Sequence, residues 1–413
     1  MIKNKQKIAV IGAGIIGLCN AKKLQDLGYH VTLFDDKGIA ECCSKGNAGH
    51  FATEQVFPLA NKNLLPKLPS MLLNPNSALA IHWRYLFKIL PWFGRFVFNM
   101  RSKSFDAHTQ AIRALNENAL SAYEDLLTDS DYQSLIIKKG SLLTFERTKK
   151  AEIEKIYTRY QEQNIAVRWL SKKELHKLEP NLNELITDAL YFTDVGHSVE
   201  PHKLCLHIFD LFKAGGGEFL QTAIKTLSPQ TVIHATTDAD ETYQFDKVVI
   251  CTGAWSKPLA KQLGFKVPLD TERGYHAMLN KHHILSRPIA SAERQFIITP
   301  MQQGLRLAGT VEFAGLHAPE HTQRATMLLE HAKKLLPDVE KCQVQHTWMG
   351  CRPSLPDSLP VISSHPNCEN IFFAFGHQHL GLTQAAITAK LIAQLCQGES
   401  PCLDLTPYRI DRF

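Results

Sequence analysis

The chain has 413 residues, 44% of them hydrophobic and 21% charged, a balance that excludes a disordered chain and calls for a globular protein with two domains. Its formal net charge of +6 is spread without a long basic tract or aromatic-interleaved basic motif, so no nucleic-acid partner is expected.

The first element lies in "KIAVIGAG", where Ile8, Ala9, Val10 and Ile11 form an apolar run suited to a strand buried on both faces of a parallel sheet. Gly12 permits a tight turn, Gly14 lets the backbone approach a pyrophosphate, and Gly17 lets the following helix pack closely on the strand. Ile15 and Ile16 open that helix, whose free amides and dipole favour phosphate. Ile16, Leu18, Ala21, Leu24 and Leu27 recur near helical spacing, and Gly28 ends the run. "YHVTLFDD" supplies a second strand. Asp35, with Asp36 beside it, follows Gly17 at close to the ~20-residue interval at which an acid accepts a ribose hydroxyl. A dinucleotide with a free 2′-hydroxyl is favoured over NADP.

Next comes the polar loop "CCSKGNAGH", from Cys42 to His50. The ten cysteines are expected to be reduced cytosolic thiols, because the N-terminus does not read as a signal peptide. Cys42 and Cys43 are adjacent and no CxxC pair occurs, so no metal site is expected. "WRYLFKILPWFGRFVFNM", from Trp83 to Met100, is interrupted by Lys88, Pro91 and Arg95 and falls short of the ~20 apolar residues of a membrane span. A pair of helices covering a pocket is the first expectation, and an element lying in a membrane interface the alternative. Farther on, a strand is expected in "SLLTF" and a charged helix in "AEIEKIYTRYQEQ", with Asn164 near its end. "GYHAML", "RQFIITP" and "LRLAGTVEF" are strand-rich, which gives a mixed sheet with flanking helices as the roof of a substrate pocket.

Four stretches carry a resemblance that covers nearly the whole chain. "CCSKGNAGH", "DKVVICTGAWS", "GCRPSLPDSLPVIS" and "NIFFAFGHQHLGLTQAAITAKLIAQL" resemble segments of the D-amino-acid oxidase-like family of FAD oxidoreductases. Within it the chain is most similar to the bacterial D-amino-acid dehydrogenases, including the D-hydroxyproline dehydrogenase-like branch, to which "DTERGYHAML" and "GHQHLGLT" point. The resemblance implies an α/β fold in which a Rossmann-like FAD-binding domain (1–58, 196–255 and 347–413) is interleaved with a mixed-sheet α+β substrate-binding domain (59–195 and 256–346).

It also implies roles for particular residues. Ser44, Lys45, Asn47, Ala48 and Gly49 would reach the FAD phosphates and ribityl chain, and Ala223 and Ile224 would meet the adenine. Thr252, Gly253 and Trp255 would lie on the flavin side, as would Gly376 and the helix start at Gly381, Leu382 and Thr383, whose amides would face the reduced ring. Arg352, in the arginine-proline segment, would hold the substrate carboxylate bidentately. Tyr275 would supply a hydroxyl to the same carboxylate or close the pocket, although strand alternation lets only one face of "GYHAML" meet the flavin. His50 would tune the flavin or touch substrate, and His377, at the flavin turn beside Gln378 and His379, would also reach the substrate.

The expected activity is FAD-dependent oxidative deamination of D-amino acids. Hydride would pass from Cα to flavin N5 and electrons to a quinone or other respiratory acceptor, with no residue assigned as acid or base. Alternatives are a dehydrogenase selective for D-proline- or hydroxyproline-type cyclic amines, an O2-using amino-acid oxidase, and a nucleotide-binding regulatory protein without turnover. A cytoplasmic location is expected, with peripheral contact at the inner face of the cytoplasmic membrane as an option, and noncovalent FAD.

Overall fold

The computed structural model describes residues 6–62 and 78–413. The apolar run at the N-terminus forms β1 (Lys7–Ile11), followed by α1 (Ile15–Asp26) and β2 (His30–Phe34). Much later in the chain, β3 (Glu218–Leu220) and β4 (Lys247–Ile250) join the same sheet, as do β8 (Val361–His365) and β9 (Cys368–Phe375). The strand order is β3-β2-β1-β4-β9-β8, parallel except for the antiparallel edge strand β8.

Alternate residues of β1 serve opposite faces, as its unbroken apolar sequence requires. Ile8 and Val10 pack with Leu18 of α1, Ile208 of the helix Pro201–Ala214, and Leu391 of the C-terminal helix α3 (Gly381–Gln397). Ala9 and Ile11 pack on the other side with Ile233, Ala235 and Phe245, from a small three-stranded sheet.

A second, nine-stranded sheet is built around β5 (Asp270–Leu279), which pairs antiparallel with both β6 (Gly304–Phe313) and β7 (Val344–Ser354). The strands expected in "SLLTF" and "RQFIITP" also belong to it. A boundary at residue 347 would cut β7, which pairs with β5 along nearly its whole length, so the β7 residues from 347 to Ser354 stay with the nine-stranded sheet. The charged helix runs Lys150–Glu162, and Asn164 beyond it takes a left-handed conformation.

The Trp83–Met100 stretch folds as a short 3-10 turn running directly into one helix, α2 (Leu86–Asn99), with Pro91 inside it. It is one rod rather than the expected pair. Trp92 and Phe96 point inward to pack with Phe313, while Trp83, Phe87, Leu90 and Phe98 are exposed. Among the described residues, no helix is long and apolar enough to cross a membrane.

Candidate active site

The turn between β1 and α1 leaves no room for side chains. A Cβ on Gly12, whose φ is +106°, would lie 2.6 Å from the Cys251 carbonyl oxygen, and one on Gly17 would collide with the Gly12 carbonyl. Gly17 therefore serves helix–strand packing and does not itself line the cavity that opens above the turn. Ser44 Oγ accepts from the Ile15 N–H at 2.9 Å, so the loop after β2 is held against the start of α1. Asp35 ends β2 with Oδ2 on the Ala13 N–H (2.8 Å) and Oδ1 on the N–H groups of Lys37 and Gly38. Burial raises its proton affinity. A carboxylate offers about four lone-pair sites, so these bonds still leave one for a ribose hydroxyl.

These residues line a cavity of about 460 Å³, within the range of cofactor and ligand pockets. Gly14, Ile15, Ile16, Asp36, Asn47, Ala48, Ala223, Ile224, Thr252, Gly253, Trp255, Gly376, Gly381 and Leu382 all border it. Besides Gly17, three expected cofactor contacts do not. The Lys45 ammonium is exposed and paired with Glu41 at 2.6 Å, because its side chain points out of the loop. Gly49 is packed against Met301, where a Cβ would clash at 2.5 Å. Thr383 turns inward, and its hydroxyl accepts from the Ala52 N–H at 2.9 Å.

A second cavity, about 470 Å³, adjoins the first and shares Asn47, Ala48, Ala308, Arg352 and His379 with it. Its walls are largely apolar, with Trp92, Phe93 and Phe96 of α2 forming part of them. Arg352 thus stands where the two spaces meet. Its guanidinium lies across Gly274, where any Cβ would collide with it, and no hydrogen bond or ion pair from the described residues holds it.

The β5–β7 register places Glu272 opposite Arg352, Gly274 opposite Gly350, and His276 opposite Trp348, and of these Glu272, Arg352, Gly274 and Trp348 line the two cavities. The His276 and Trp348 rings stack at 5.2 Å, and His276 Nδ1 lies 2.9 Å from the Gly46 carbonyl, which ties the loop after β2 to this sheet. Tyr275 has the opposite parity. Although it borders the first cavity, its hydroxyl donates to Glu312 at 2.6 Å and accepts from the His321 N–H, while Arg273, on the same face, pairs with Glu312. The Tyr275 hydroxyl is therefore not aimed at a carboxylate on Arg352.

His50 lines the second cavity beside Glu54, 3.5 Å away. Burial first, then His197 and His379, depresses its pKa to about 3, so it is neutral at pH 7. His377 borders the first cavity, but its Nε2 lies 3.0 Å from the Thr388 hydroxyl, inside α3. His379 is the histidine that reaches the junction of the two cavities; burial and then the Arg352 charge lower its pKa to about 4. Gln378, at a φ of +50°, turns the chain between the two histidines and sends them apart. Glu272, Trp348 and His379 complete the site without having been assigned a role from sequence. The signal that finds Glu272 and Trp348 is their shared parity with Arg352 across β5 and β7.

The cradle and chamber together define an oxidoreductase built around a dinucleotide. The chain belongs to the FAD-dependent oxidoreductase (DAO) family, whose model matches residues 7–395, and FAD is its cofactor. It is 31% identical over 417 residues to the D-amino-acid oxidase of Bradyrhizobium diazoefficiens, covering 98% of each chain. To the D-amino acid dehydrogenase of Paramagnetospirillum magneticum it is 26% identical, over 98% of this chain and 99% of the other. In fold it is similar to glycine oxidase from Geobacillus kaustophilus, with a TM-score of 0.75 at 21% identity over 99% of this chain and 100% of the other. The L-proline dehydrogenase from P. horikoshii gives a TM-score of 0.76 at 15% identity, over 99% and 98%.

Proposed function

We propose that the chain oxidises D-amino acids to imines, which water hydrolyses to 2-oxo acids, and that its electrons pass to a quinone or other respiratory acceptor. The observation that carries this reading is the Arg352 guanidinium, without a hydrogen-bond or ion-pair partner among the described residues, at the junction of the cofactor cavity and a largely apolar chamber. A planar fork of N–H donors holds a carboxylate in two parallel hydrogen bonds and so fixes the adjoining Cα. FAD, when bound, supplies the acceptor for the Cα hydride. The first cavity's glycine turn, Asp35 and Ser44 would hold its nucleotide end, and Gly376, Gly381 and Leu382 would meet its ring. Neutral His379 places no competing charge beside Arg352, and Trp92, Phe93 and Phe96 keep water from the reacting carbon. The relatives named for D-amino acids support the enantiomer.

The choice of acceptor is supported by α2 and the turn before it. From Ala78 to Ser104 there is no Asp or Glu, while Arg84, Lys88, Arg95, Arg101 and Lys103 are all exposed. Trp83 and Phe87 stand 71% and 81% exposed beside them. Aromatics set among cations suit an anionic lipid surface, where a quinone resides. The oxidase name of the 31% identical relative favours O2 as the second reading.

The test is an anaerobic spectrum of the holoenzyme before and after adding D- and L-amino acids, both proline enantiomers and hydroxyproline. Bleaching of the flavin by D-substrates alone is the expected result. Slow recolouring in air together with rapid recolouring by a soluble quinone supports the respiratory acceptor, and rapid recolouring in air supports the oxidase. A flavin that no amino acid bleaches overturns the proposal.

A further inference from the structure

We propose that Glu272 receives the ammonium group of the amino-acid substrate and takes its proton, so that Glu272 and Arg352 together recognise a zwitterion. The inference rests on the reading of Arg352 as the carboxylate-binding residue.

The geometry comes from strand pairing. Glu272 on β5 stands directly opposite Arg352 on β7, with both side chains on the face that lines the chamber. Among the described residues lining that chamber, they are the only Asp, Glu, Lys or Arg. Glu272 is only 4% exposed, a position in which a carboxylate is costly without a partner. One partner is supplied from within: the Ser354 hydroxyl donates to Glu272 Oε1 at 2.5 Å, and Ser354 is in turn 3.4 Å from Gln378 Nε2. Among the described residues no donor holds the other oxygen, and the guanidinium that would pair with it lies over Gly274 instead. Two opposite charges are thus built into one chamber without closing on each other. A molecule bearing one charge of each sign, separated by a single carbon, satisfies both.

The electrostatics give the proton a destination. Burial raises the proton affinity of Glu272, while the Ser354 hydrogen bond and then the Arg352 charge oppose that rise; Asp270, on the same strand, reinforces it. His379 and His50, also lining the chamber, are neutral at pH 7 and add no charge. A substrate carboxylate on Arg352 offsets the guanidinium charge and leaves burial dominant. The ammonium N–H bond then breaks toward Glu272 Oε2 and its electron pair stays on nitrogen. That pair forms the C=N bond as the Cα–H pair leaves as hydride for FAD, the oxidant of the established family chemistry. A positively charged nitrogen could not assist in this way.

The experiment compares holoenzymes of the wild type, Glu272→Gln and Glu272→Asp. Anaerobic flavin reduction by the fastest D-substrate is followed from pH 6 to pH 10, and butanoate, which lacks an amine, is titrated by its perturbation of the flavin spectrum. Butanoate should bind the Gln variant within about twofold of wild type, since Gln keeps an acceptor for Ser354. Reduction at pH 7 should fall by at least ~100-fold, the scale of a lost acid–base group, and recover as the pH rises through the pKa of the substrate amine. The Asp variant should keep most of the pH 7 rate. Wild-type reduction by the Gln variant at pH 7, a deficit equal at every pH, or equal losses in the Gln and Asp variants would each overturn the proposal. A wild-type flavin that no amino acid bleaches overturns the parent reading, and this one with it. A flavin bleached normally in Glu272→Gln overturns this one alone.

Discussion

A guanidinium without partners among the described residues is uncommon, and at Arg352 the cause is visible in its neighbours: Gly274 beneath it has no side chain, and Glu272 opposite is drawn toward Ser354. If Arg352 holds the substrate carboxylate as proposed, replacing it by Ala removes two charge-assisted hydrogen bonds, worth roughly 2–4 kcal/mol in all, so kcat/KM should fall by about 30- to 1,000-fold. Gly274→Ala should produce a similar loss without touching the charge, because its Cβ would occupy the place of the guanidinium. Steady-state kinetics of both variants, with butanoate titration, checks this; an unaltered kcat/KM in Gly274→Ala would show that the guanidinium position is immaterial. At the cofactor, burial raises the Cys42 thiol to about 11 and the Cys43 thiol further, so neither offers a thiolate to the flavin at neutral pH. With the FAD held noncovalently, as the family resemblance implies, acid precipitation should leave all the yellow colour in the supernatant. Arg352 was legible because arginine-proline is a local pattern. His379 was not, because His377 and His379 are equivalent in sequence until the left-handed turn at Gln378 separates them.

The strand–turn–helix element was the most legible of all, since every one of its constraints is local: a two-faced apolar strand, three glycines at fixed offsets, and an acid at the end of the next strand. Strand β5 was legible as a strand but not as a surface. Sequence alternation separates Glu272, Gly274 and His276 from Arg273 and Tyr275, yet only the pairing with β7 decides which set shares the Arg352 side of the sheet. The α2 stretch had two readings, chamber wall and membrane face: Trp92 and Phe96 point inward as the first requires, while Phe87, Leu90 and Phe98 are exposed on the side where the proposed membrane contact would lie. Because the outward side chains touch little of the protein, Trp83→Ser, Phe87→Ser and Leu90→Ser combined should change stability by less than about 1 kcal/mol. Sedimentation with anionic vesicles should fall at least tenfold if this face carries the lipid contact, each buried apolar side chain being worth about 1.5–3 kcal/mol. Unchanged sedimentation would remove the membrane argument for a quinone acceptor and leave the soluble D-amino-acid chemistry intact.

Across the whole molecule, the burial of histidines and of Glu54 makes folding depend on pH. His50, His276 and His377 are depressed to about 3, and His197 and His379 to about 4, in each case chiefly by burial. A histidine whose folded pKa lies below its unfolded value of about 6.5 contributes nothing unfavourable above that pH. As the pH falls below it, the unfolded chain takes up protons that the folded one refuses, and stability is lost at about 1.4 kcal/mol per pH unit for each histidine. Glu54 works in the other direction. Burial lifts its pKa to about 8, so its contribution is full below the unfolded carboxylate value and is lost as the pH rises through 8. Moving down from pH 8, one proton from Glu54 stabilises the fold until, below about 6.5, several histidines outweigh it. The melting temperature should therefore be highest near pH 6.5–7 and fall steeply on the acid side. His377→Gln, which keeps a partner for Thr388, should flatten the acid limb by about one proton, and Glu54→Gln should move the maximum upward in pH. Thermal melts followed by circular dichroism between pH 5 and pH 8.5 measure both, and an acid limb that His377→Gln leaves unchanged would mean that this histidine accepts a proton in the folded protein after all.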